Sequence, residues 1–320
     1  MGKIIVTGGA GYIGSAVANL FCKCGYDVVV IDYNLKDDTD EIVKINIDIR
    51  NQYELDNVFR NNLPIDCVIH CAGELGIERS YAYKELFYDQ IVYGTDNVLR
   101  MMIKYGVKKL IYSSTAAVYT NVNRPVCESD TINVDQLSPY SLFKYMCEQK
   151  IQMLRSCFDY CCLRYFNVVG IGCDDNNMRT AYLKKNNILP ILINSALNNW
   201  NFGILGLDYE TKDGTCERDY IDLKDLSYLH LAIYVKMNSS LWNKKLNGIY
   251  NAGSGKTLSV KELIKLVEKV TCRRILQENK PRRIGDITYL CSDNSKTNKV
   301  FEWKPSINIE DTIQILTKKS

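Results

Sequence analysis

Two histidines are all this chain has, and none of its thirteen cysteines stands in a paired C-x-x-C. The spacings that hold zinc are therefore missing, and no metal is expected. The cysteine count is odd, and Cys67, Cys71, Cys161 and Cys162 sit inside apolar runs. Cysteine behaves there as a small hydrophobe, and a reducing compartment is expected rather than a disulfide framework. Charge of one sign is also scarce: the formal net charge is +3 and no long Lys/Arg run occurs. Nucleic-acid binding consequently has no electrostatic support. The first apolar run, Lys3-Ile4-Ile5-Val6, is too short for a leader, and no later run is long enough to span a bilayer. The expectation is a cytoplasmic protein with no membrane partner. There is no internal repeat and no low-complexity tract.

What remains is ordinary globular material, 46% hydrophobic and 24% charged over 320 residues. Its first half alternates short β-branched runs (3–7, 27–32, 43–48, 66–71, 109–114 and 160–167) with helical patterns at 12–23, 52–60, 81–105 and 139–156. The runs are almost continuously apolar, as strands buried on both faces are. This β-α-β rhythm predicts an α/β fold with a doubly wound parallel sheet. Past about Gly170 the rhythm weakens into Asp/Asn/Lys-rich loops (173–178, 208–215) and isolated helices such as 260–270. The predicted division is a dinucleotide-binding domain over 1–168 and a smaller, mixed α/β substrate-binding domain over 169–320, with part of 218–250 returning to the first.

The strongest local signal is Thr7-Gly8-Gly9-Ala10-Gly11-Tyr12-Ile13-Gly14-Ser15, between a predicted strand and a predicted helix. Gly8, Gly11 and Gly14 permit a tight turn, close approach of backbone to a pyrophosphate, and close helix–sheet packing. The next strand ends in Asp32, whose carboxylate can accept from ribose hydroxyls and would repel a 2′-phosphate. NAD is the expected cofactor.

The second signal is Ser138-Pro139-Tyr140-Ser141-Leu142-Phe143-Lys144. Ser138 suits an N-cap and Pro139 the first helical position, so Tyr140 and Lys144 share one helix face. A free phenol ionises near pH ~10, too high for a base at neutrality. Bringing it to neutrality takes about 4 kcal/mol, which a neighbouring ammonium and the positive nicotinamide ring together supply. Third, the strand beginning at Lys109 ends in Ser113, Ser114 and Thr115, at the edge where ligands of such sheets bind. Thr115 is placed to hydrogen-bond the reacting hydroxyl. One motif is discarded: Gly253-Ser254-Gly255-Lys256-Thr257 ends like a phosphate-binding loop, but its first glycine would fall on Tyr250.

Together these residues resemble the extended short-chain dehydrogenase/reductases that act on nucleotide sugars, along nearly the whole chain. The resemblance implies a Rossmann-type fold and further cofactor contacts from Tyr12, Ile13, Asp48-Ile49-Arg50, Cys71-Ala72-Gly73, Ser113 and Tyr165. In Leu163-Arg164-Tyr165-Phe166-Asn167, it implies that Asn167 contacts a substrate diphosphate. The segment from Asp208-Tyr209 through Asp213-Gly214-Thr215-Cys216-Glu217-Arg218-Asp219-Tyr220-Ile221 is similar to a signature of UDP-glucose (UDP-galactose) 4-epimerases. So are Pro281-Arg282-Arg283-Ile284-Gly285-Asp286 and Asn186-Asn187-Ile188-Leu189-Pro190. By this likeness Asn187, Arg218, Arg283 and Asp286 belong to a UDP-sugar site, and guanidinium forks suit a diphosphate.

Ala116 and Ala117 occupy the places where related dehydratases carry Asp and Glu, so water elimination has no proton carriers. The resemblance then implies a UDP-hexose 4-epimerase, homodimeric through the 81–105 and 139–156 helices. Leu75, Gln90, Tyr93, Val168 and Asp222 depart from the epimerase pattern, and Leu75 removes one cation beside the cofactor. Leu290, with Tyr289 beside it, stands where a small residue admits N-acetyl sugars. A nucleotide-sugar 4-reductase or dehydrogenase with net redox change, or a catalytically silent dinucleotide-binding regulator, stays open.

Overall fold

The computed structural model describes residues 2–35, 42–120, 122–172, 176–240, 242–243, 246–283 and 286–318, with the side chains of 176–178 excepted. The 173–178 loop expected from sequence, and positions 284 and 285 of the arginine segment, therefore fall wholly or partly outside the described residues.

The first half runs β1 (Lys3–Thr7), α1 (Tyr12–Lys23), β2 (Val28–Asp32), β3 (Val43–Asn46), α2 (Gln52–Asn61) and β4 (Ile65–His70). It continues with α3 (Ile77–Ala82), α4 (Lys84–Tyr88), a π-helical turn (Asp89–Tyr93), α5 (Gly94–Lys104), β5 (Lys109–Thr115), α6 (Pro139–Met153) and β6 (Asp159–Tyr165). These strands are rich in Ile and Val, and β1, β2, β4, β5 and β6 are buried almost throughout. A strand with no solvent face belongs in a parallel sheet covered on both sides.

The rest comprises β7 (Asn167–Val169), α7 (Asn176–Leu183), α8 (Ile188–Asn198), β8 (Asn201–Leu205), β9 (Glu217–Asp222), α9 (Leu223–Met237) and β10 (Gly248–Ala252). It closes with β11 (Thr257–Ser259), α10 (Val260–Thr271), β12 (Leu276–Lys280), β13 (Tyr289–Leu290), α11 (Ser295–Phe301) and α12 (Ile309–Thr317).

The main sheet has seven parallel strands in the order β10-β6-β5-β4-β1-β2-β3. The chain reverses its direction of travel across the sheet between β1 and β4, which opens a crevice beyond their carboxyl ends. One face is closed by a core that includes Leu55, Phe59, Val98, Met102 and Cys147, the other by one that includes Val17, Phe21, Leu226 and Ile233. A third core, with Leu189, Leu192, Leu263 and Ile313, holds a second sheet in which β9 is flanked by β7, β11 and β13. Ser259 starts α10 with a capping box: its hydroxyl accepts from Glu262 N at 3.0 Å and the Glu262 carboxylate accepts from Ser259 N at 2.9 Å.

Two expectations need correction. The 81–105 stretch is not one helix: it is broken at Tyr83 and carries the π turn, where Gln90, Ile91 and Val92 are all buried. A π turn carries i→i+5 bonding within a helix, and here it coincides with that buried stretch. The run 160–167 is two strands. Phe166 N donates to Ala252 O at 3.1 Å, and Asn167 then leaves the main sheet to pair with Tyr220 of β9.

Candidate functional site

A cavity of about 430 Å³ lies at the carboxyl ends of β1, β4, β5 and β6. Its floor is the glycine loop. Gly8 has φ +70°, and a Cβ there would lie 2.5 Å from Ala72 N; one on Gly14 would lie 2.2 Å from Gly8 O. Only glycine allows that approach. Helix α1 begins at Gly11 with no side-chain cap, so its first N–H groups stay available to an anion. Asp32 closes the loop, accepting from Ala10 N and Asn34 N at 3.0 Å each. A glycine cradle, an uncapped helix start and a carboxylate at the ribose position fit a dinucleotide such as NAD.

A buried relay holds this cradle. Thr95 gives its hydroxyl proton to Ile91 O at 2.5 Å, so it accepts from His70 Nε2 at 3.0 Å. His70 Nδ1 is then an acceptor for the Thr7 hydroxyl at 2.5 Å, and Thr7 in turn faces Ala72 N at 3.4 Å. Burial pushes the His70 imidazole down to about 3, which keeps this proton order intact at neutral pH. A second tautomer is fixed likewise. His230 Nδ1 faces Leu226 O at 2.9 Å and must donate, so Nε2 accepts from the Tyr165 hydroxyl at 2.8 Å.

On α6, Ser138 accepts from Ser141 N at 3.2 Å and Pro139 fills the first turn. The helix thus presents Tyr140 and Lys144 to the cavity, both buried. Lys144 Nζ donates to Ser113 O at 2.8 Å and lies 5.0 Å from the centre of the Tyr112 ring. Burial raises the Tyr140 phenol above its ordinary value, although its hydrogen bond with Thr115 acts the other way. Burial also lowers the Lys144 ammonium. Within the protein alone, burial thus opposes the charged form of both groups.

Of the residues singled out in the sequence, Gly8, Gly11, Tyr12, Ile13, Gly14, Asp32, Ile49, Cys71, Ala72, Gly73, Ser113, Thr115, Tyr140, Lys144 and Tyr165 all line this one cavity. Asp48 does not: it is tied to Arg50 at 2.6 and 2.9 Å in a shallow depression next to it. Asn167, Asn187, Arg218, Arg283 and Asp286 lie off the cavity as well. Among these, Arg218 and Asp286 meet at 2.5 Å, and Asp286 also accepts from the Tyr209 hydroxyl at 3.1 Å. Arg283 pairs with Glu78 at 3.1 Å. Asn167 opens β7 half-buried, and Asn187 stands exposed before α8 with no capping bond.

Sequence reasoning missed Glu148. It lies one turn beyond Lys144, fully buried, and accepts from Ser114 Oγ at 2.5 Å and from Arg164 at 2.7 and 3.0 Å. Its i+4 spacing from Lys144 was the available signal. The discarded phosphate-loop look-alike has its own explanation: Ser254 N and Gly255 N donate to the buried Asp219 carboxylate at 2.6 and 3.0 Å. The chain's own anion fills that nest. Among the described residues no group of three metal-binding side chains forms, no cysteine is paired, and no helix is long and apolar enough to cross a membrane.

The chain is 35% identical to a UDP-glucose 4-epimerase of Halalkalibacterium halodurans over 94% of this chain and 90% of that one. The crystal structure of UDP-glucose-4-epimerase from Stenotrophomonas maltophila with bound NAD and formylated UDP-arabinopyranose superposes with TM-score 0.88 at 28% identity, covering 99% and 97% of the two chains. That from Bifidobacterium longum in complex with NAD+ and UDP gives 0.85 at 31%, covering 98% and 96%. The NAD dependent epimerase/dehydratase family profile matches residues 4–253, the span that holds the glycine cradle, Tyr140 and Lys144. The chain therefore belongs to the NAD dependent epimerase/dehydratase family.

Proposed function

We propose that this chain is a UDP-hexose 4-epimerase that works through a transient 4-keto sugar on tightly held NAD. The observation that carries it is a cavity whose reactive groups are Tyr140, Thr115 and Lys144, while Ala116 and Ala117 follow directly and can move no proton. When bound, NAD supplies a reversible hydride acceptor. The chain's own residues do the rest. Tyr140 takes the proton of the C4 hydroxyl, Thr115 orients that hydroxyl, and Lys144 keeps the phenolate in place. Once the flat ketone has turned over, so that the hydride returns to its opposite face, the same Tyr140 gives the proton back to the C4 oxygen. Such a reaction needs a firmly held diphosphate and a loosely held sugar.

Residues 1–168, with part of 218–250, form the NAD-binding domain, supported by the return of β10 beside β6 and of α9 beside α1. Residues 169–320 form the nucleotide-sugar-binding domain. There Arg218, oriented by Asp286, acts with Arg283 and Asn187, joined by Asn167 from just before the boundary, on the UDP diphosphate. The chain forms a homodimer through the 81–105 and 139–156 stretches, which expose Tyr81, Tyr83, Tyr88, Tyr93, Met146 and Met153. Leu290 is buried against Ala116, Val118, Tyr119 and Phe166, and bears on whether N-acetyl sugars are admitted.

The test is to incubate purified protein, without added cofactor, with UDP-glucose or UDP-N-acetylglucosamine and look for the C4 epimer. Tyr140→Phe should keep NAD and lose activity by at least 10²-fold, the usual order for general acid–base groups. Protein that holds NAD but converts no UDP-sugar would sink the epimerase reading. Stoichiometric NADH formation would instead favour a net reductase or dehydrogenase.

A further inference from the structure

The cavity is more acidic than a dinucleotide calls for. Its charged lining is Asp32, Glu74 and Lys144, two acids to one base, for a ligand whose diphosphate carries two negative charges. Asp32 is accounted for by its bonds to Ala10 N of the glycine loop and to Asn34 N. Glu74 makes no bond to that loop; its carboxylate is held by the Arg79 guanidinium. Glu74 keeps only 17% of its side-chain exposure and Arg79 keeps 55%, so the acid faces inward and the base outward. The turn that carries Glu74 lies against the cradle, since a Cβ on Gly8 would sit 2.5 Å from Ala72 N. Gly76, at φ +113°, then turns the chain into α3 and brings Arg79 back over it. The Tyr83 ring centre stands 5.8 Å from the guanidinium on α3's far side.

We infer that the Glu74–Arg79 pair sets how long the cavity keeps its dinucleotide, with Arg79 cancelling a carboxylate that would otherwise repel the diphosphate. The inference rests on the reading above that the cavity holds NAD.

The experiment follows exchange of bound NAD for labelled NAD in the whole protein, at low salt and at about 1 M salt, where the screening length is about 3 Å. Arg79→Gln should release NAD about fivefold faster at low salt, the effect of one uncompensated charge at the edge of a solvated site. High salt should erase the difference, and Glu74→Gln/Arg79→Gln should restore the original rate at low salt. An Arg79→Gln protein that exchanges at the unaltered rate, or a double variant as fast as the single, overturns the inference. Unaltered protein that takes up no NAD at all overturns the dinucleotide reading together with it.

Discussion

Asp222 shows what one buried carboxyl costs. It caps α9 by accepting from Lys224 N at 2.7 Å and accepts from the Thr312 hydroxyl at 2.7 Å. A Cβ on Gly170 would lie 2.4 Å from its Oδ2, so the backbone closes over it. Burial pushes its carboxyl up to about 6. A raised carboxyl favours the fold in its protonated form, so its contribution is present below the unfolded value near 4 and is lost as pH rises through 6. Asp222→Asn keeps an N-cap acceptor and removes the ionisation. It should gain about 2–3 kcal/mol relative to the unaltered protein between pH ~4 and ~7.5. Urea unfolding at both pH values checks this; two parallel pH curves would refute it. Asp222 was visible in the sequence as a departure, but its burial was not, because Gly170 and Thr312 approach it from distant parts of the chain.

Elements were read well wherever the signal was local. Helix α1 begins and ends where its glycine and apolar spacing placed it, and α6 starts at its Ser-Pro pair. Boundaries failed where a neighbour decided them. The π turn is invisible as periodicity, and β6 ends because Asn167 turns away to pair with Tyr220 of β9, far along the chain. The glycine cradle can be tested at this scale. Gly14→Ala would favour an isolated helix by about 1 kcal/mol. Here its Cβ would fall 2.2 Å from Gly8 O. The variant should keep its helical circular dichroism and lose co-purified NAD; retention at the original stoichiometry would contradict the cradle.

Across the whole molecule, the Glu148–Arg164 pair joins α6, β5 and β6 in one place, with Arg164 2% and Glu148 0% exposed. Their pairing was not legible in the sequence, since a buried ion pair looks like two surface charges until the fold brings them together. Removing one partner leaves a charge without compensation and should cost about 3–5 kcal/mol. Glu148→Leu with Arg164→Met should lie much closer to the unaltered protein in stability, because replacing both charges avoids that penalty. Denaturant midpoints decide it, and a double variant as unstable as Glu148→Gln would show that the pair stabilises in its own right. The same contrast holds for the site: the cavity lining was legible because its motifs are short, and the Arg218–Asp286 contact was not, because 68 residues separate its partners.

The break at Phe166 has a geometric consequence. Tyr165 lines the cavity, and Asn167 opens the strand that belongs to the other sheet. Two residues of chain span at most about 7 Å. The covalent backbone thus caps the distance between the cavity and the neighbouring sheet. That limit holds however the two halves pack, and a single inserted residue at this joint would lengthen it by about 3.5 Å.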